Sequence, residues 1–256
     1  MTHVESKSET PASMYDWRVE ALDAWLNTKS DGGSKPVTME MLNEAGHLDQ
    51  FHYKGIEANE EIMELLQVDA SDKLLDVGCG IGGPARYISW KTGCAVDGFD
   101  ILPDLVEKAN EVASLVGLKD RVSFTRMDVC GKDFGKKIGS TGALYDGYYS
   151  ILVNLHIPKE PRMRMFENIG RAVKKSGALC IEDYILRSSE RNCLLLFLDP
   201  KFVCAFLHSC IFVFCILRSS ERPLTSDETK TLKEVVGVAY LPTKQEYMVS
   251  CIYKKK

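Results

Sequence analysis

The chain is 256 residues long, 45% hydrophobic and 27% charged, with a formal net charge of −4. That composition excludes a disordered, collagenous or disulfide-scaffold protein. Thirty-two Lys and Arg against 36 Asp and Glu leave no cationic surplus for phosphates, which argues against nucleic acid as a partner. Residues 1–12 are rich in Ser, Thr, Glu and Lys and read as a disordered tail with no apolar leader. Residues 13–256 read as a single domain. Met14, Trp17, Ala21, Leu22 and Trp25 recur at helical spacing and predict a first helix with an apolar stripe. Asp31–Pro36 breaks that helix, and Thr38 is placed to cap a short one through Ala45. Asp49–Gly55 leads as a loop into a helix at 57–66. Residues 13–66 are therefore expected to form lid helices.

Strand and helix alternate from residue 73 onward. Strands are expected at 73–77, 95–100, 122–127, 144–151 and 178–184, with helices at 84–92, 103–116 and 161–174. This alternation predicts an α/β fold, a Rossmann-like doubly wound, mostly parallel sheet over residues 67–186. Ligands of such sheets sit at the carboxyl ends of the strands, where the strand order reverses.

The sharpest motif lies at the first of those ends: Leu74-Leu75-Asp76-Val77-Gly78-Cys79-Gly80-Ile81-Gly82-Gly83-Pro84. Gly78, Gly80 and Gly83 satisfy G-x-G-x-x-G, so an NAD-dependent oxidoreductase has to be weighed. Asp76 opposes that reading, because a carboxylate there repels a pyrophosphate and suits a cation. Asp100 ends the next strand, where a carboxylate can take both ribose hydroxyls. Asp128 ends the third strand, where it can accept from an adenine amino group. Together they describe a pocket for a positively charged adenosine derivative.

The motif resembles the nucleoside-binding signature of class I S-adenosylmethionine-dependent methyltransferases. It is most similar to the small-molecule branch with phosphoethanolamine and sarcosine/dimethylglycine N-methyltransferases. The resemblance covers residues 47–186 and 222–247. It implies S-adenosylmethionine as cofactor, with Asp76, Gly78 and Gly80 at the methionine part and Asp100 at the ribose. Asp128 and Val129 would hold the adenine, Ile101 joins the cofactor-binding set, and no metal is implied. His156, in Asn154-Leu155-His156-Ile157-Pro158, resembles a histidine that phosphoethanolamine methyltransferases place after strand four and pair with an N-terminal tyrosine. His156 is thus the candidate general base, for the nitrogen of a small amine as acceptor. A histidine bonded to backbone at a strand end is the structural alternative. Tyr53 is the candidate partner, or an organiser of the methionine carboxylate, against simple lid packing. Tyr15 is a weaker candidate for the same partnership. A carboxylate, hydroxyl or carbon acceptor stays open.

One segment breaks the pattern. Ile185-Leu186-Arg187-Ser188-Ser189-Glu190-Arg191 recurs unchanged at 216–222, and the residues between are strongly apolar. Residues 192–222 therefore read as an atypical apolar insertion, and 223–256 as a truncated C-terminal part lacking the sheet's last strands. This keeps open a catalytically impaired cofactor-binding isoform or a non-functional splice variant. Membrane association is conceivable only through 193–217, but Phe202–Leu217 falls short of the roughly 20 apolar residues of a span. Nine cysteines form no C-x-x-C pair, so free thiols in the reducing cytoplasm are expected.

Overall fold

Leu74, Leu75, Asp76 and Val77 are all buried, which puts β1 (Lys73–Val77) in the middle of a sheet covered on both faces. It pairs in parallel with β2 (Ala95–Asp100) on one side and β4 (Tyr145–Ile151) on the other. β3 (Val122–Arg126) lies outside β2, and β5 (Val173–Tyr184) outside β4. The strand order reverses between β1 and β4, so a crevice opens at their carboxyl ends. The computed structural model describes residues 15–52, 54–134, 136, 145–184, 212–217 and 248–254.

The helices that frame the site are α1 (Asp16–Lys29), α2 (Met39–Ala45), α3 (Ile56–Leu66), α4 (Gly83–Thr92), α5 (Pro103–Leu115) and α6 (Lys159–Ala172). Thr38 caps α2 as expected, its hydroxyl accepting from the Met41 amide at 3.2 Å. Two apolar clusters form the core. One joins α1–α5 to Leu74 and Val96, and the other joins α6 to Leu75, Val77 and Leu179. Neighbouring residues of one strand thus serve opposite faces, which is the two-residue period of a β-strand.

Three differences from the sequence reading have physical causes. In α1 the buried face is carried by Leu22 and Leu26, while Trp17 is 58% exposed under the Arg18 guanidinium. Trp17 stands five residues before Leu22, well off its face at 100° per residue. Second, α6 ends at Ala172 and β5 begins at once with Val173. The register slips between Tyr145↔Val173 and Gly147↔Ala178, and Lys174 bridges the slip by pairing with Asp146 at 2.5 Å. Third, the last strands are not missing. β7 (Met248–Lys254) runs antiparallel to β5, and β6 (Phe212–Leu217) runs antiparallel to β7 at the edge.

Among the described residues the sheet has seven strands in the order β3-β2-β1-β4-β5-β7-β6. The apolar run Phe212–Leu217, read as part of an insertion, is a strand because β-branched and aromatic residues suit a pleated ladder. The rest of the insertion, the N-terminal tail and residues 218–247 lie outside the described residues. No helix among the described residues is long and apolar enough to cross a membrane.

Deleting residues 192–222 removes β6 and leaves β7 as a bare edge. We expect the deletion protein to melt lower, by about 5 °C or more, and to aggregate through that edge. Differential scanning calorimetry with light scattering reads both; an unchanged melting temperature and clear solution would contradict the assigned pairing.

Candidate active site

The Gly-rich turn is where three parts of the chain converge. Gly78 has φ +72°, and a Cβ there would lie 2.4 Å from Val153, so only glycine lets the β4–α6 connection pack on the turn. At Gly83 a Cβ would lie 2.1 Å from the Asp49 carbonyl oxygen, which places the Asp49–His52 loop directly against the start of α4. From the third side, Asp100 at the end of β2 accepts from the Gly80 amide at 2.9 Å and the Leu102 amide at 3.0 Å. Burial pushes the Asp100 carboxyl up, opposed by these amides and by the charge of His156.

A cavity opens at this junction, walled in part by Asp76, Gly78, Gly80, Phe51, His52 and Ile151. Asp76 stands in register with Tyr149 of β4, whose hydroxyl donates to its carboxylate at 3.0 Å. Burial pushes the Asp76 carboxyl up to about 8, against the lowering effect of that hydrogen bond. Burial therefore favours a neutral Asp76, and a cation bound beside it would favour the carboxylate. Behind the cavity, the fully buried Arg86 pairs with Asp49 and donates to the Ile81 carbonyl, tying the loop to the turn.

The rim is aromatic. Tyr15, preceding α1, stacks on Phe51 with ring centroids 6.2 Å apart, and Arg18 covers the Phe51 ring at 4.8 Å. The Tyr15 hydroxyl lies 3.4 Å from Nε2 of His156, which sits in a short 3-10 turn (Asn154–His156) after β4. Burial raises the Tyr15 pKa, so the phenol stays protonated at neutral pH.

Of the residues singled out in the sequence, Asp76, Gly78 and Gly80 share the cavity wall, and Asp100 is joined to it through Gly80. Ile101 is 59% exposed beside Asp100. Asp128, exposed at the end of β3, accepts from the Cys130 amide at 2.9 Å, and the buried Val129 has its carbonyl bound by Asn168 at 2.9 Å. Neither they nor Ile101 belong to that cavity wall. Tyr53 lies outside the described residues, and Tyr15 is the tyrosine found beside His156. Among the described residues no group of His, Cys, Asp and Glu is placed to hold a metal.

Sequence reasoning missed Tyr149 and the Asp49–Arg86 pair. Tyr149 had no signal, because its place opposite Asp76 depends on strand register. Arg86 did have one: a charged residue one turn before the apolar Trp90 in Ala85-Arg86-Tyr87-Ile88-Ser89-Trp90, on a helix that packs against the sheet.

Residues 74–177 match the family model described as a methyltransferase domain. The chain is 28% identical over 73% of its length to methyltransferase GfsG of Streptomyces halstedii, of which it spans 62%. It is 30% identical over 53% of its length to the phosphoethanolamine N-methyltransferase of Plasmodium falciparum, of which it spans 48%. To the sterol 24-C-methyltransferase of Eremothecium gossypii it is 31% identical over 46% of its length, spanning 30% of that protein. In three dimensions it is similar to geranyl diphosphate C-methyltransferase of Streptomyces coelicolor A3(2), solved with S-adenosyl-L-homocysteine. That likeness has a TM-score of 0.52 at 12% identity, covering 79% of this chain and 78% of that one.

Residues 74–177 thus match a methyltransferase domain, and the sheet has the Rossmann-like fold of class I methyltransferases. That match weighs against the NAD reading of the three glycines. Asp76 has a raised folded pKa, so its stability contribution is full below the ordinary carboxyl pKa and is lost as pH rises through about 8. We expect the ligand-free protein to lose urea resistance between pH 5 and pH 8.5, and Asp76→Asn to flatten that slope. An unaltered slope in the variant would show that Asp76 is not the titrating group.

Proposed function

We propose that the protein transfers a methyl group from S-adenosylmethionine to the nitrogen of a small amine. The observation that carries this reading is a buried, protonatable Asp76 in a glycine-walled cavity, with the Tyr15–His156 pair at the same end of the sheet. The residues fit the cofactor's chemistry: Asp76 opposes positive charge, Gly78 and Gly80 leave the backbone open, and Asp100 faces the Gly-rich turn as a ribose acceptor. Ile101, Asp128 and Val129, at the ends of β2 and β3, extend the same edge toward an adenine. When bound, S-adenosylmethionine supplies a methyl already activated on a sulfonium, so the protein's share is alignment, desolvation and proton removal.

His156 is assigned the proton. An ammonium acceptor must shed one before its lone pair can attack, and the His156 imidazole takes it. Tyr15, protonated and 3.4 Å from Nε2, orients that ring. Similarity to phosphoethanolamine N-methyltransferase supports a nitrogen acceptor; similarity to sterol 24-C-methyltransferase favours the competing reading, a carbon acceptor. The proposed compartment is the cytoplasm, where Cys79, Cys94, Cys130 and Cys180 would stay free thiols.

The test is transfer of a labelled methyl to a panel of small amines and apolar carbon acceptors. We expect N-methylated product, and His156→Ala to lower kcat by about 100-fold or more with cofactor affinity retained. Tyr15→Phe should cost less. Transfer to carbon alone, or full turnover in His156→Ala, would overturn the amine assignment. Tight cofactor binding with no transfer to any acceptor would favour the impaired isoform.

A further inference from the structure

His52 is 5% exposed and walls the same cavity as Asp76 and Gly78. Its Nε2 lies 3.2 Å from Gln50 Oε1, and its Nδ1 is buried without a hydrogen-bond partner. Which ring nitrogen carries the proton is set by the groups behind Gln50. Arg86 donates to one oxygen of Asp49, and the Gln50 amide nitrogen donates to the other at 3.1 Å. A carboxylate only accepts, so the Gln50 NH₂ must face Asp49 and its Oε1 must face the other way. Asn59 Nδ2 donates to that same Oε1 at 2.9 Å. An amide oxygen also only accepts, so the contact from His52 requires the hydrogen on Nε2. In a neutral imidazole, Nδ1 is then a bare acceptor. Burial, reinforced by the charges of His47 and Lys54, pushes the ring pKa down to about 4, which keeps the ring neutral.

We propose that His52 Nδ1 accepts a hydrogen bond from the α-ammonium of the cofactor's methionine part, making His52 a binding residue that selects an amino-acid-bearing nucleoside. This assignment rests on the reading of the cavity as the S-adenosylmethionine site. The cavity wall supports the polarity of the contact. It contains the Asp76 carboxyl and no Lys or Arg among the described residues, so it suits a donor cation. A carboxylate at the same place would set its lone pairs against that of Nδ1. The chain Arg86–Asp49–Gln50–His52 thus carries the orientation of a buried guanidinium outward to one ring nitrogen.

Calorimetric binding of two ligands tests this without any turnover: S-adenosylhomocysteine, and its analogue with hydrogen in place of the α-amino group. Wild type is expected to prefer the amino form. His52→Phe should weaken S-adenosylhomocysteine about tenfold or more, the scale of a lost charge-assisted hydrogen bond. The same variant should leave the deaminated analogue within about twofold. Equal losses for both ligands would make His52 a piece of wall and overturn the proposal. Wild type that binds neither ligand would instead overturn the cofactor reading. The nitrogen-15 resonance of His52 Nδ1 in the wild-type protein gives a mutation-free readout. It should move from its bare-acceptor position with S-adenosylhomocysteine and stay there with the analogue; no movement with S-adenosylhomocysteine would also overturn the proposal.

Discussion

The site depends on two places where a side chain is forbidden. Gly78 lets the β4–α6 connection touch the end of β1, because any Cβ would strike Val153. Gly83 lets the Asp49–His52 loop touch the start of α4, because any Cβ would strike the Asp49 carbonyl. Remove either contact and the end of β4, the Gly-rich turn and the Asp49–His52 loop no longer share one cavity. The close approach also explains why polar groups there are buried. Asp76, Asp49, Arg86 and His52 are each 5% exposed or less. Burying charge is costly, and a buried ion pair such as Arg86–Asp49 adds little net stability compared with well-packed apolar groups. Its value here is positional, since Asp49 goes on to orient Gln50 and, through it, His52.

Electrostatics give the two ends of the site different characters. Around Asp76 the wall offers acceptors and a carboxyl whose proton is loosely committed, a setting that gains from a bound cation. At the rim, the Tyr15 hydroxyl meets His156 while the Tyr15 ring stacks on Phe51, which is where the proposed proton transfer belongs. Asp100 connects the two, anchored on the Gly80 amide and carrying charge that both Tyr15 and His156 sense.

Much of this was legible in the sequence because it follows local rules. The buried run Leu74–Val77, the glycines after it and the Asp at the end of the next strand are fixed by strand length and turn chemistry, and β2 runs over Ala95–Asp100 as expected. What was not legible depends on contacts distant in the chain. Tyr149 meets Asp76 only through the parallel register of β4 on β1. Tyr15 reaches His156 across 141 residues. The helix-to-strand change at Ala172–Val173 is sharper than periodicity suggests, because Asp146 draws Lys174 into the ladder. The apolar hexamer Phe212–Leu217 looked foreign by composition alone, yet antiparallel pairing with β7 gives it a place at the edge.

The most direct measurement is calorimetric titration with S-adenosylmethionine at pH 7, repeated in two buffers of different ionisation enthalpy. A carboxyl held near 8 by burial is largely protonated at that pH, and a cation bound beside it displaces the proton. The account predicts saturable binding with release approaching one proton per site, abolished in Asp76→Asn. Absence of binding, or binding whose heat is the same in both buffers, would contradict it.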